Sequence, residues 1–333
     1  MLKENLHVSS TRTTAHHAVT QAVVFRQPQH IEMTQLSLPE PADDEVVVDV
    51  AWSGISTGTE RLLWSGTMPP FPGMGYPLVP GYESVGRVSQ TGKNSTLTVG
   101  DLVFVPGARC FGEVRGLFGG TASRLVVPQT RAMPIKPEFG ELGTMLALAA
   151  TAYHALRPQP DAALPDLIVG HGVLGRLLAR LTIALGGPAP TVWETQAGRR
   201  DGAKGYRVLD PQQDTTSDYL TVLDASGDAS ILDKLMPRLR RGGEIILAGF
   251  YSKPLSFEFP PAFMREARIR VAAEWQPDDF SAVRSLAEAK RLSLDNLISH
   301  RLPATEADAG YRTAFEDPDC LKMILDWRGV HSC

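Results

Sequence analysis

Cysteine is scarce in this chain, with only Cys110, Cys320 and Cys333 in 333 residues, all set far apart. That count and spacing exclude a disulfide framework and a metal knuckle, and a reducing cytoplasm is the expected compartment. Neither sign of charge prevails: 33 Lys and Arg face 37 Asp and Glu, for a formal net charge of −4. Such a balance gives no general attraction for nucleic acid, and no basic stripe interleaves with aromatics, so no nucleic-acid partner is expected. Long apolar runs are missing too. No stretch is long enough for a transmembrane segment and no secretory core is read, although loose contact with a membrane surface stays open. What is present is an apolar fraction of 43%, ample for a packed core, in a chain long enough for two domains.

The stretch around which the chain is organised begins at Leu167 and reads LIVGHGVLGRLLARLTIALG. Leu167–Val169 suits a buried parallel strand. Gly170, Gly172 and Gly175 follow at the G-x-G-x-x-G spacing, which supplies a tight turn, room for a pyrophosphate and close helix–strand approach. The helix start then turns free N–H groups towards phosphates. Leu174, Leu177, Leu178, Leu181 and Leu185 make its apolar side, with Arg176 and Arg180 on the same helix. A second strand, Thr191 to Trp193, ends in Glu194, 24 residues past Gly170, where a carboxylate accepts the hydroxyls of an adenosine ribose. Further strands are expected at 206–209, 220–223, 242–250 and 268–272, with Gly242 and Gly243 closing the preceding helix. Strands spaced by helical stretches predict a parallel, doubly wound sheet.

Residues 1–18 are polar and aperiodic, and a disordered tail is expected, on which His16 and His17 would make a poor metal site. Strands are then expected at 22–25, 31–36, 45–52, 82–88, 101–105 and 122–127, with loops dense in glycine and proline over 66–81 and 106–120. A compact β-barrel with two long loops follows from this pattern. Residues 139–156 read as helix, 278–290 as helix, 292–300 as a short extended return, 304–315 as helix and 320–325 as a last barrel strand.

A barrel, a central nucleotide domain and a return to the barrel resemble the plan of the medium-chain dehydrogenase/reductase superfamily. The strings VVVDVAWSGISTGTE and LVPGYESVGRV look like its catalytic-domain landmarks. The strings SGISTGTERLLWSGTMPPFPGMGYPLVPGYESVG, VGHGVLGRLLARL, LDASGD, GGEIILAGFYS, FPPAFMREARIRVAAEWQP and CLKMILDW are similar to a zinc-free branch of it that acts on bacteriochlorins. The likeness covers nearly everything after Val19. It implies an α/β architecture: a GroES-like β-barrel catalytic domain over 19–140 and 286–333, with an inserted Rossmann domain over 141–285. It further implies NAD-dependent oxidation of the 3-(1-hydroxyethyl) group of a magnesium bacteriochlorin to 3-acetyl. A homodimer formed by edge pairing of the nucleotide sheets is also implied, the run from Gly243 to Phe250 belonging to that domain.

Zinc enzymes of the superfamily present C-G-x-C and then G-H-E. Here the corresponding residues are Ser53-Gly54-Ile55-Ser56 and Gly81-Tyr82-Glu83, and the third ligand position falls near Ala147. Neutral hydroxyls do not hold zinc as thiolate and imidazole do, so no metal is expected. Glu83 persists, and is expected to brace the barrel loop or an arginine. Without zinc, a side chain must accept the alcohol's proton or hydrogen-bond the developing alkoxide. Tyr82 stands in for a metal ligand, although a phenol pKa near 10 is too high for a base unless a neighbour lowers it. His154 lies on a segment that passes the nicotinamide in this superfamily, and an imidazole is the side chain whose ordinary chemistry suits proton exchange at neutral pH. Ser56, Thr57 and Thr59 are candidates to orient the alcohol or relay the proton.

Cofactor contacts are expected from Gly170, His171, Gly172, Val173, Leu174 and Gly175 in the turn, from Glu194 and Arg199, and from Ala225 and Gly249 at later strand ends. His171 is expected to face solvent or phosphates. Glu194 favours the free ribose of NAD, while Arg199 and Arg200 keep NADP open. A flat pigment calls for a wide apolar cleft, for which Trp52, Glu60, Trp64, Met68, Phe71, Phe118 and Tyr251 are the candidates, with Leu63, Met74, Phe111 and Phe250 nearby. Arg61 or Arg115 is placed to meet a propionate. Two rival readings stay open: a zinc-free quinone or enone reductase using NADPH, and a non-catalytic pigment-binding protein on the same scaffold.

Overall fold

The computed structural model describes residues 18–70, 72–157 and 163–330. The expected tail, His16, His17, Phe71 and Cys333 thus lie outside the described residues, apart from residue 18. The chain opens with the hairpin β1 (Val19–Gln27) and β2 (His30–Ser37), then the long strand β3 (Glu45–Ile55). A short helix, α1 (Thr59–Ser65), leads to β4 (Leu78–Val79), β5 (Ser84–Thr91), β6 (Leu102–Val105), β7 (Arg115–Gly116), β8 (Arg124–Pro128) and β9 (Met133–Pro134). Helix α1 departs from the expected strand-and-loop reading, and Tyr82 stands just ahead of its strand rather than within it.

Residues 137–145 form 3₁₀ turns, so the helix expected from 139 begins only at α2 (Leu146–Leu156). Rich in alanine and leucine, α2 has strong helix formers and no polar face. A helix apolar all round belongs in a core, and α2 packs between the barrel side and α3 (Val173–Ala184) and α6 (Pro277–Glu288). The nucleotide sheet contains β10 (Leu167–Val169), β11 (Thr191–Trp193), β12 (Arg207–Leu209), β13 (Tyr219–Asp224), β14 (Leu239–Leu247) and β15 (Arg268–Val271), with α4 (Ile231–Leu235) and α5 (Phe259–Arg265) between the later strands. All neighbours are parallel, in the order β12-β11-β10-β13-β14-β15. That is the doubly wound order, whose crevice opens at the carboxyl end of β10.

Gly242 and Gly243 do not close a helix. They lie inside β14, where the register against β13 slips between Tyr219 and Thr221, so they absorb a bulge. Helix α6 runs across the expected boundary at 285–286, and residues 292–299 are irregular. The return to the barrel is β16 (His300–Pro303), α7 (Ala307–Glu316) and β17 (Met323–Asp326), and β17 pairs antiparallel with β3. This pairing carries Lys322 to the end of β3 and Trp327 alongside Ala51, and α7 lays Tyr311 into the barrel core beside Phe25, with ring centroids 5.1 Å apart.

Candidate active site

The dinucleotide half of the site is main chain. A Cβ at Gly175 would stand 1.8 Å from the Gly170 carbonyl oxygen, so α3 approaches β10 as closely as only glycine allows. Around Gly172 the same atom would meet nothing within 4 Å, which leaves open space at the turn. Gly172 caps α3 without any side-chain hydrogen bond, so the first amides of a twelve-residue helix face that space. These features fit the pyrophosphate of a dinucleotide. At the end of β11, Glu194 accepts the His171 amide at 3.1 Å and the Gln196 amide at 2.8 Å.

His171 does not face solvent or phosphates. Its ring is fully buried, with Nδ1 2.7 Å from the Arg199 carbonyl and Nε2 2.8 Å from the Tyr206 hydroxyl. Burial pushes its pKa down to about 4, with Arg176 acting in the same sense, so the ring is neutral. Nδ1–H then donates to Arg199 and Nε2 accepts from Tyr206. Arg176 donates to the carbonyls of His171, Arg199 and Asp201, which ties the glycine turn to the 199–201 loop. Both candidate NADP arginines are engaged elsewhere. Arg199 Nε donates to the Pro318 carbonyl, and Arg200 donates to the Glu194 carbonyl and to the Asp210 carboxylate.

The barrel half is side chain. Strands β3 and β5 pair Ser53 with Ser84, so the residues just beyond each strand, Ser56 and Tyr82, meet. Half-buried Tyr82 donates its hydroxyl to Ser56 Oγ at 2.7 Å and packs edge-on against Phe118 at 5.3 Å. Thr57 beside them is exposed. Beneath lies a buried charge cluster. Glu60 is wholly inaccessible; one carboxylate oxygen takes the Ser56 amide at 3.0 Å and the other takes the Tyr311 hydroxyl at 2.6 Å. Glu83, equally buried, forms an ion pair with Lys322. Gly54 makes room for it, since a Cβ there would fall 2.1 Å from the Glu83 carboxylate. Glu83 therefore braces a lysine, not an arginine.

Burial raises Glu60 to about 7, with Glu83 adding to the rise and Tyr311, Ser56 and Lys322 opposing it. Burial also raises Glu83, against the attraction of Lys322. The Tyr82 phenol is pushed far above its ordinary range by burial and then by Glu83 and Glu60. The neighbours thus do the opposite of what a base would need, and Tyr82 is a neutral phenol.

Zinc does not fit these residues. Ser53 Oγ accepts the Trp327 indole at 2.8 Å, Ser56 Oγ is taken by Tyr82, and Ala147 offers a buried methyl. Among the described residues no group of three His, Cys, Asp or Glu side chains is placed to hold a metal.

Several candidate residues take other places. His154 Nδ1 lies 2.8 Å from Asp279, which also caps the start of α6, so this histidine ties α2 to α6. Glu60 is too deep to touch a substrate. Trp64 leans on Phe315 and, with Met68, packs against the barrel core; Leu63 and Phe111 are inside it. Tyr251 turns its hydroxyl to Asp224. Trp52 is half-buried at the domain junction, with the Arg328 guanidinium 5.1 Å above its ring, and Phe118 stays beside Tyr82. Arg115 lies against Gly75 and the Tyr76 carbonyl. Lys322 and Tyr311 were not read from the sequence. A lone lysine within the apolar run CLKMIL was the available signal, because a lysine is buried only with a partner.

The family model for the alcohol dehydrogenase GroES-like domain matches residues 42–137. The chain is 59% identical to 2-desacetyl-2-hydroxyethyl bacteriochlorophyllide A dehydrogenase of Rhodobacter capsulatus, over 93% of this chain and 98% of that protein. It is 57% identical to the enzyme of the same name from Cereibacter sphaeroides, over 93% and 99%. Among solved structures, L-idonate 5-dehydrogenase from Escherichia coli superposes with a TM-score of 0.81 at 17% identity, covering 93% of this chain and 99% of that one, a likeness of fold. At that identity over nearly the whole of both chains, the chain belongs to the family of the 2-desacetyl-2-hydroxyethyl bacteriochlorophyllide A dehydrogenases.

Proposed function

We propose that this protein oxidises the hydroxyethyl side chain of a bacteriochlorophyllide to acetyl, with NAD and without catalytic zinc. The observation that carries the reading is the Tyr82–Ser56 hydrogen bond at the position of the metal ligands, in a chain so similar to two enzymes named for that substrate. Bound NAD supplies the hydride acceptor. The substrate hydroxyl donates to Tyr82 Oη, whose own proton already points to Ser56 Oγ. As the hydride leaves, the alcohol proton passes to Tyr82 while the Tyr82 proton passes to Ser56, and Ser56 gives its own proton to solvent water on the exposed side where Thr57 lies, so that one proton leaves for each hydride transferred. No phenolate forms at any stage, which suits a phenol held neutral by burial and then by Glu83 and Glu60. Glu60 positions Ser56 through its amide, and His154 takes no part in the proton path. Trp52, Phe118 and the half-exposed Phe250 offer apolar faces to the pigment.

The Glu194 carboxylate and the occupied Arg199 and Arg200 favour NAD over NADP and weigh against the NADPH reductase reading. Mixing purified protein with NAD and the hydroxyethyl pigment should yield NADH and acetyl pigment in equal amounts. Pigment binding with no NADH would overturn the enzymatic reading in favour of a carrier.

A homodimer is part of the same proposal. The run from Gly243 to Phe250 lies largely in β14, an interior strand, so the edge strand nearest to it is β15, with β12 at the opposite edge. Beside that edge Phe259, Phe263, Met264 and Val271 are each at least 66% exposed, a concentration of apolar surface that a second copy would cover. Val271→Asp should leave monomers in sedimentation analysis; an unchanged dimer would place the contact elsewhere.

A further inference from the structure

Asp224 ends β13 and is wholly buried, at the carboxyl edge of the sheet where this class of fold opens its dinucleotide crevice. One carboxylate oxygen takes the Ser226 amide at 3.0 Å, and the other takes the hydroxyl of Tyr251 from the loop after β14. The Asp224 carbonyl receives the Ala248 amide at 2.8 Å and the Gly249 amide at 3.0 Å. Next to it, the Ala225 amide donates to the Val169 carbonyl at 2.9 Å, so the ends of β10, β13 and β14 are tied through two adjacent residues. Main-chain bonds make most of this knot, and Tyr251 adds the side-chain clasp.

A buried carboxylate beside a phosphate-binding turn is a liability, because an unpaired negative charge there repels the ligand. Burial already raises the acid of Asp224, and Asp228 acts in the same sense, so the group resists ionising without a donor. Resting on the cofactor reading above, we propose that Tyr251 is a positioning residue for the dinucleotide, not a wall of the pigment cleft. Its phenol clasps Asp224, and so holds the Ala248–Phe250 backbone at the crevice and covers a carboxylate that would otherwise face the phosphates. The Tyr251 phenol is pushed upward by burial and by Asp224, so it remains a donor.

The test is NADH binding to the full-length protein, followed by nucleotide fluorescence with no pigment present. Tyr251→Phe leaves a buried acceptor unpaired, and the NADH Kd should rise about tenfold. The KM for NAD should rise with it, while the KM for pigment holds. Asp224→Asn keeps a carbonyl oxygen for the phenol and removes the charge, so its Kd should stay within about twofold of the parent. The double variant Tyr251→Phe/Asp224→Asn should regain most of the lost affinity, because no charge is left to uncover. An unchanged NADH Kd in Tyr251→Phe, whatever its Tm, would overturn the proposal. A raised pigment KM with NADH binding intact would overturn it too and return Tyr251 to the substrate wall. Failure of the parent protein to bind NADH would sink the cofactor reading itself, and this proposal with it.

Discussion

The dinucleotide half of the cleft is built from main chain, and the barrel half from side chains contributed by both ends of the chain. Gly170, Gly172 and Gly175 do their work within six consecutive residues, by absence of a side chain. At the barrel end, Ser56, Glu60, Tyr82, Glu83, Tyr311 and Lys322 come from strand ends and helices distant in sequence, and each is held by another member of the group. The glycine turn of the first site is local in sequence, and Arg176 and the distant Tyr251 brace the backbone around it. The second is a closed cluster in which Glu83 is paired with Lys322 and buried Glu60 is held by Ser56 and Tyr311, so removing one member should disturb the others.

That contrast is open to attack at several points. Lys322→Met leaves Glu83 buried without its cation and should cost about 3–5 kcal/mol in denaturant unfolding. The pair Lys322→Met/Glu83→Gln should recover most of it, whereas additive losses would mean that the cluster is not coupled.

Glu60 gives an effect of similar size that depends on pH. Its folded pKa is raised from 4.5 to about 7, so between those values the folded protein holds a proton that the unfolded chain has released. Stability should therefore fall as pH rises through that window, by about 3 kcal/mol in all, and level off above it. Glu60→Gln should flatten the profile; a slope that survives the substitution would assign it to another group.

Tyr82→Phe keeps the ring against Phe118 and removes only the hydroxyl. kcat should drop about a hundredfold, roughly 2.7 kcal/mol, with the KM for NAD unchanged. The smallest effect is expected at His154, where substitution to Ala should cost about 2 kcal/mol of stability by leaving buried Asp279 short of a partner. Its kcat should not move, and a large fall would restore His154 to the proton path.

The same contrast explains what could be read from the sequence. The strand before the glycine turn, the turn itself, α3 and Glu194 are local patterns, and all stand where periodicity and spacing put them. The serine and tyrosine replacements were legible as lost ligands. Their partners were not, because Lys322 and Tyr311 reach the site only through the pairing of β17 with β3 and the packing of α7. Helix α1 escaped notice because it is seven residues long and begins at Gly58 without a side-chain cap. Gly242 and Gly243 misled because a glycine pair serves equally as a helix stop or a bulge, and only the slipped register separates the two. His171 misled for a different reason. Spacing locates a backbone position in the turn but not the direction of its ring, which tertiary partners at Arg199 and Tyr206 decide.

The central claim is that neutral hydroxyls do here what zinc does elsewhere in the superfamily. Turnover of the hydroxyethyl pigment with NAD, measured before and after exhaustive treatment with a zinc-selective chelator, tests it most directly. The account predicts an unchanged rate at negligible zinc content. A rate that collapses on chelation and returns with stoichiometric zinc would contradict it.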